Sequence, residues 1–287
     1  MAAMETSSHT SPLSEDVDCL AILAGKGDLP ERLADACKRT GRDYVMIGVE
    51  ENTPEDTVAE HPHFWIKLGA LGSAFEQMHE RNVTSFVMAG RIERPSITSL
   101  RPDTTTAKLL AKLGTKLFAG DDRLLSTITT FMEDEGFKVL GIDDVLDDIL
   151  MPEGLISKAF PNKQSQADIE IGVAMAKEIG RLDIGQAVIV QQGHVLGVEA
   201  MEGTDKLIAR CAELKLSDKG GVLIKVKKPH QERRVDLPTI GVETVHRTSE
   251  AGFAGIAVEA GGSLIVDRAA VERAANEHNI FVVGFTV

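Results

Sequence analysis

Residues 19–49 narrow the choice of folds more than any other stretch. Cys19-Leu20-Ala21-Ile22-Leu23-Ala24 is an apolar run of strand length without polar alternation, the pattern of a strand buried on both faces. Gly25-Lys26-Gly27-Asp28 turns the chain. Leu29, Leu33, Ala34 and Cys37 then recur at helical spacing, with Pro30 where a first-turn proline is tolerated and Gly41 as the stop. A second apolar run follows at 44–49. Strand, helix and strand in that order and of those lengths connect right-handedly as a parallel unit, which predicts an α/β sheet.

The pattern continues with strands predicted at 64–68, 84–88 and 138–141 and helices at 72–80, 105–118 and 122–135. Residues 19–150 are therefore expected to form an N-terminal Rossmann-like parallel-sheet domain. Residues 151–166 carry two prolines and a polar end and read as a linker. Residues 167–287 are expected to form a C-terminal α/β domain with a mixed sheet, because a Gln192-Gly193 turn joins two short strands antiparallel while later strands alternate with helices. Residues 1–18 are polar and Ser/Thr-rich and read as a disordered extension.

A formal net charge of -13 argues against nucleic acid as a partner, so any phosphate site must be a local exception. The cysteines Cys19, Cys37 and Cys211 are scattered without metal-type spacing, which suits a reducing cytoplasm. No apolar run approaches the ~18 residues of a membrane span.

The strongest local exception is 225–241, KVKKPHQERRVDLPTIG. The residues 222–227 alternate as a strand whose second face turns polar at Lys225 and Lys227, and Arg233 and Arg234 follow. One carboxylate, Asp236, stands among these cations, where it either holds a metal and orients water or merely balances a basic strand end. A second exception is the first turn, since glycines leading into a helix N-terminus present free N–H groups to phosphate. The dinucleotide fingerprint fails there because Pro30 occupies its third glycine position, although Glu50 ends the second strand where a ribose-binding acid would sit. The carboxyl ends of parallel strands should bring Gly25, Lys26 and Gly27 together with Arg91 and Arg94. Acids cluster twice more, at Asp121-Asp122, an N-cap by its commonest meaning, and at Glu199, Glu202 and Asp205, which are oxygen ligands for Mg²⁺ or Mn²⁺ or, the reading preferred, stand where Thr204 and Asp205 cap the helix that follows. In the helix at 105–118, Lys108, Lys112 and Lys116 flank a leucine stripe. That face either docks on anionic lipid headgroups or, the reading preferred, packs its leucines on the sheet.

Taken in order, LAGKGDLP, AGRIERPS, GDDRLL, ADIEIGVAMAKEIGRLDIGQAVIV, VEAMEGTDKLI, VKKPHQERRVDLPTIGVETVHR and AGFAGIAVEAGGSLIVDR resemble the LpxI-type UDP-2,3-diacylglucosamine pyrophosphatases of lipid A biosynthesis over nearly all of 19–287. The resemblance implies a Mg²⁺- or Mn²⁺-dependent hydrolase that cleaves UDP-2,3-diacylglucosamine to 2,3-diacylglucosamine 1-phosphate and UMP. Such an enzyme is cytoplasmic, with peripheral contact at the inner membrane, and a homodimer is compatible with it. The family's key acid falls on Asp236, as catalytic residue and metal ligand, and further metal ligands fall on Glu202, Asp205, Asp121 and Asp122. Substrate contacts fall on Gly25, Lys26, Gly27, Arg91, Arg94, Lys225, Lys227 and Thr239. Lys26 stands where relatives often carry a small residue, a departure from the family's pattern.

Overall fold

The computed structural model describes residues 19–93, 101–114, 121–218, 220–229 and 231–286, with 121–123 by backbone alone. Its first half runs β1 (Cys19–Ala24), α1 (Leu29–Thr40), β2 (Asp43–Val49), α2 (Glu55–Ala59), β3 (His63–Ile66), α3 (Leu71–Glu80), β4 (Val83–Ala89), α4 (Thr104–Leu113), α5 (Asp121–Asp134) and β5 (Lys138–Leu140). The five strands form one parallel sheet in the order β3-β2-β1-β4-β5. Apolar side chains cover both faces, which is why β1 shows no polar alternation. The helix and strand expected at its start are present, and Gly41 ends α1 at φ 71°, a left-handed stop. Helix α2 falls in a stretch the sequence marks only by its prolines, because a five-residue helix has too few turns to show a period.

The second half runs β6 (Gly154–Leu155), α6 (Lys163–Arg181), β7 (Ala187–Gln191), β8 (His194–Val198), α7 (Thr204–Ala212), β9 (Val222–Lys225), β10 (Thr239–Ile240), α8 (Val242–Glu250), β11 (Gly255–Glu259), β12 (Leu264–Ile265), α9 (Arg268–Glu277) and β13 (Phe281–Phe285). Its sheet is mixed, in the order β6-β13-β11-β9-β7-β8, with β13, β11 and β9 parallel and antiparallel partners outside them. Strand β6 and the first turn of α6 lie inside 151–166, the stretch expected only to connect. Helix α6 comes so close to β9 that a Cβ at Gly172 would meet Ile224 Cδ1 at 2.4 Å. Along β9, Val222 and Ile224 face α6 while Leu223 joins the core beneath α7, α8 and α9.

The halves interlock. Leu237 and Leu264 from the second half are buried in one cluster with Leu20, Ile22 and Leu33 of the first. Backbone bonds from Met151 N to Ser263 O and from Ile265 N to Ile149 O, both 2.8 Å, stitch the connection to β12. In α4, Leu109 and Leu113 are buried in the first core and Lys112 pairs with Asp134, while Leu117 lies outside the described residues. Lys116 lies outside the described residues. No described helix is long and apolar enough to cross a membrane.

Candidate active site

The order of the first sheet reverses at β1, with β2 and β3 to one side and β4 and β5 to the other. At such a switch point the connections diverge and leave a crevice at the strand ends. Gly25 and Gly90 line it because the two turns touch. Gly25 N donates to Ala89 O at 2.7 Å, and Lys26 and Arg91 exchange backbone bonds of 2.9 and 3.0 Å. A Cβ at Gly25 would lie 2.7 Å from Arg91 O, and one at Gly90 would lie 2.7 Å from Lys26 O. Gly27 holds φ 103°, which other residues resist. Lys26 Nζ donates to Glu93 Oε1 at 2.7 Å, and Arg91 reaches across to the second half, its Nη2 3.5 Å from where a Cβ on Gly203 would stand. Arg94 lies outside the described residues.

Opposite this edge is the end of β9. The expected polar face is a misreading at Lys225: that side chain continues the apolar face of Leu223 and is only 4% exposed. The cause is a ring of acceptors that lets an ammonium stay inside. Lys225 Nζ donates to Thr239 O at 2.9 Å, and Glu199, Asp205 and Asp236 lie near enough to favour its charge, although burial outweighs them and pulls its pKa below the ordinary lysine value. Glu199 is itself buried, accepting from Thr204 Oγ1 at 2.7 Å and from Gln186 N at 3.1 Å. Lys227 is half-buried; its backbone N donates to Glu259 Oε2 at 2.7 Å.

Asp236 is gripped on one side. Its Oδ2 accepts from Gln231 Nε2 at 2.8 Å, and the same amide reaches Gln186 Oε1 at 3.0 Å. Gln231 is buried and oriented by Lys228 N, which donates to its Oε1 at 3.0 Å. The other oxygen, Oδ1, takes no hydrogen bond from any described residue, leaving it available to a ligand.

The segment carrying Asp236 is anchored to the first half. Arg233 pairs with Asp143 at 2.7 Å, and Arg234 pairs with Glu133 at 2.5 Å and Glu232 at 2.9 Å. The hydrogen bond from Arg234 holds the Glu232 carboxyl below its ordinary value against the effect of burial. Val235 packs beside the Phe75, Phe131 and Phe137 cluster and Leu237 on the opposite face of the sheet. The acid between them is thus held at the junction of the two halves.

The remaining acids are spread out. Glu202 accepts from Arg210 Nε and Nη2 at 3.1 and 2.9 Å, and its own backbone N–H together with Arg210 holds its carboxyl below the usual range. Asp205 lies exposed at the start of α7, 3.7 Å from Arg247. Asp205 does not cap α7, whose N-cap is Gly203. Asp121 and Asp122 open α5, and their side chains lie outside the described residues. Among the described residues no three His, Cys, Asp or Glu side chains converge as a self-sufficient metal site would need. Asp236 and Asp205 remain as oxygen donors near Lys225. By donor type, carboxylate oxygens suit a hard divalent cation such as Mg²⁺, which takes one or two carboxylates and completes its shell with phosphate oxygens and water. Gln186 and Gln231 escaped the sequence reading. Their only signal is a polar amide abutting an apolar run, QAVIV in one case, and nothing local says where the amide points.

Residues 19–149 match the family described as LpxI N-terminal domain, and residues 152–283 match the LpxI C-terminal domain. The chain is also 40% identical over 271 residues to the UDP-2,3-diacylglucosamine pyrophosphatase LpxI of Caulobacter vibrioides, covering 92% of this chain and 96% of that protein.

Proposed function

The chain belongs to the LpxI family, and from that premise we propose that it hydrolyses the diphosphate of UDP-2,3-diacylglucosamine, releasing 2,3-diacylglucosamine 1-phosphate and UMP, with a divalent cation as cofactor. The observation that carries this reading is the near full-length match to a relative named for that reaction. The geometry supports it. A diphosphate needs positive charge at its phosphoryl oxygens, an oriented water and a proton acceptor.

In this reading Arg91 and Lys227 face the diphosphate from the two halves, while buried Lys225, held by Thr239 O, places its ammonium near Asp236 and Asp205. Asp236, held through Oδ2 by Gln231, offers Oδ1 to water. As the water oxygen bonds to phosphorus, its proton passes towards Asp236 and the bridging oxygen leaves with the P–O electron pair, so one anhydride becomes two phosphate monoesters. Asp236 and Asp205 would hold the divalent cation, which supplies charge neutralisation on the phosphoryl oxygens. The diacyl substrate also brings the enzyme to a lipid surface as a peripheral visitor.

Incubation of the protein with UDP-2,3-diacylglucosamine and Mg²⁺ or Mn²⁺ is expected to release UMP. EDTA is expected to stop the reaction and added metal to restore it. Substrate bound but left intact would make the chain a binding protein, and full turnover after exhaustive chelation would remove the cation from the scheme.

A further inference from the structure

One buried acid takes no part in the scheme above. Glu199, which follows β8, is 6% exposed. Its backbone is fixed on both sides. Glu199 N donates to Ala187 O at 2.8 Å, and a Cβ at Gly185 would stand 2.2 Å from Glu199 O, so only glycine lets the turn that leads into β7 pass so close. A carboxylate taken out of water needs its oxygens bonded and a cation close by. Thr204 Oγ1 and Gln186 N meet the first need, one on each oxygen. Lys225 meets the second. Burial disfavours its ammonium, and of the three acids that restore the charge Glu199 counts for more than Asp205 or Asp236.

The same carboxylate anchors the amides behind Asp236. Gln186, whose N–H it accepts, itself accepts through Oε1 from Gln231 Nε2 at 3.0 Å, and that amide holds Asp236 Oδ2 at 2.8 Å. Gln186 O in turn accepts from Val226 N at 3.0 Å, which fixes the chain one residue beyond Lys225. The other acids are less well placed to answer the ammonium. Asp205 is exposed and lies 3.7 Å from Arg247, and an Asp236 drawn to Lys225 would be drawn away from the attacking water.

We propose that Glu199 is a positioning residue for the hydrolysis: as inner counter-charge to Lys225 and anchor of the Gln186 and Gln231 amides, it keeps Asp236 turned to water. The inference rests on the hydrolytic reading above and adds a residue that reading leaves out.

Glu199→Gln tests it, because the amide matches the carboxylate in shape, can accept from Gln186 N and donate to Thr204 Oγ1, and lacks only the charge. With UDP-2,3-diacylglucosamine and Mg²⁺, kcat is expected to fall about 10–100-fold while KM stays within about twofold. In a Lys225→Met background the same change is expected to cost about threefold or less, since the charge it answers is absent. Wild-type kcat in Glu199→Gln, a rise in KM alone, or an equal loss in both backgrounds overturns the positioning role while hydrolysis stands. Thr204→Val, which removes a hydroxyl and no charge, covers the case in which Glu199→Gln does not fold. A fall in kcat of about threefold or more at constant KM then supports the role, and unaltered kinetics overturn it. Absence of UMP release by the wild type overturns the hydrolytic reading itself.

Discussion

Asp236 and Gln231 show how one residue acquires a role from its neighbours. A carboxylate at a turn is ordinary, but here one oxygen is fixed by a buried amide and the other takes no hydrogen bond from any described residue. Asp236→Ala is expected to lower kcat by roughly 10²–10⁴, with little change in melting temperature because the released Gln231 amide keeps Gln186 Oε1 as a partner. Near-normal turnover would remove Asp236 from the mechanism. Gln231→Leu keeps volume but releases Oδ2, and the expected loss is about 10–100-fold in kcat with KM nearly constant, the pattern of a positioning residue. A rise in KM alone would mean that Gln231 serves binding instead.

At the scale of elements, the turns after β1 and β4 act as one unit because glycine on each side lets the backbones touch. Gly25→Ala forces the first turn away from the backbone of Gly90 and Arg91, since the new methyl group would lie within 2.7–2.8 Å of it. The expected cost is about 1–3 kcal/mol of stability together with weaker substrate binding, as Lys26 and Arg91 lose their common frame. Thermal melts and KM measured on the same preparation check this. An alanine variant with unchanged melting temperature would show that the turns are free to separate.

At the scale of the whole molecule, the decisive contacts are those of 232–237 with the first half. Arg234 is held by Glu232 and Glu133, and the depressed Glu232 carboxyl gives this clamp a pH dependence. A carboxyl whose folded pKa is lowered stabilises the fold fully above its unfolded value, ordinarily 4.5, and that stabilisation is lost as pH falls through the folded value. Arg234→Ala is therefore expected to cost about 1–2 kcal/mol, a few degrees in melting temperature, at neutral pH. The gap from wild type should then narrow as pH drops below 4.5. A gap constant from pH 7 to pH 3 would show that the arginine acts through packing alone.

The parallel first sheet, the hairpin at Gln192-Gly193 and the order of most helices were legible in the sequence, because periodicity, glycine stops and proline positions are local signals. The glycine turns at the switch point were legible too, since parallel strands in this connection must place their carboxyl ends on one edge. Strands β6 and β10 were not, being two residues long and defined only by the partner they meet. Nor was the interior place of Lys225: its neighbours in sequence read as a solvated strand end, whereas Glu199, Asp205 and Asp236, 26, 20 and 11 positions away by number, supply the charge that lets it stay buried. The sequence therefore settled which segments become strands and helices and which residue types are available for phosphate chemistry. Tertiary structure decided which acids stand beside that lysine, which amide holds Asp236, and that the two halves meet there, because burial and hydrogen-bond geometry depend on residues far apart in the chain.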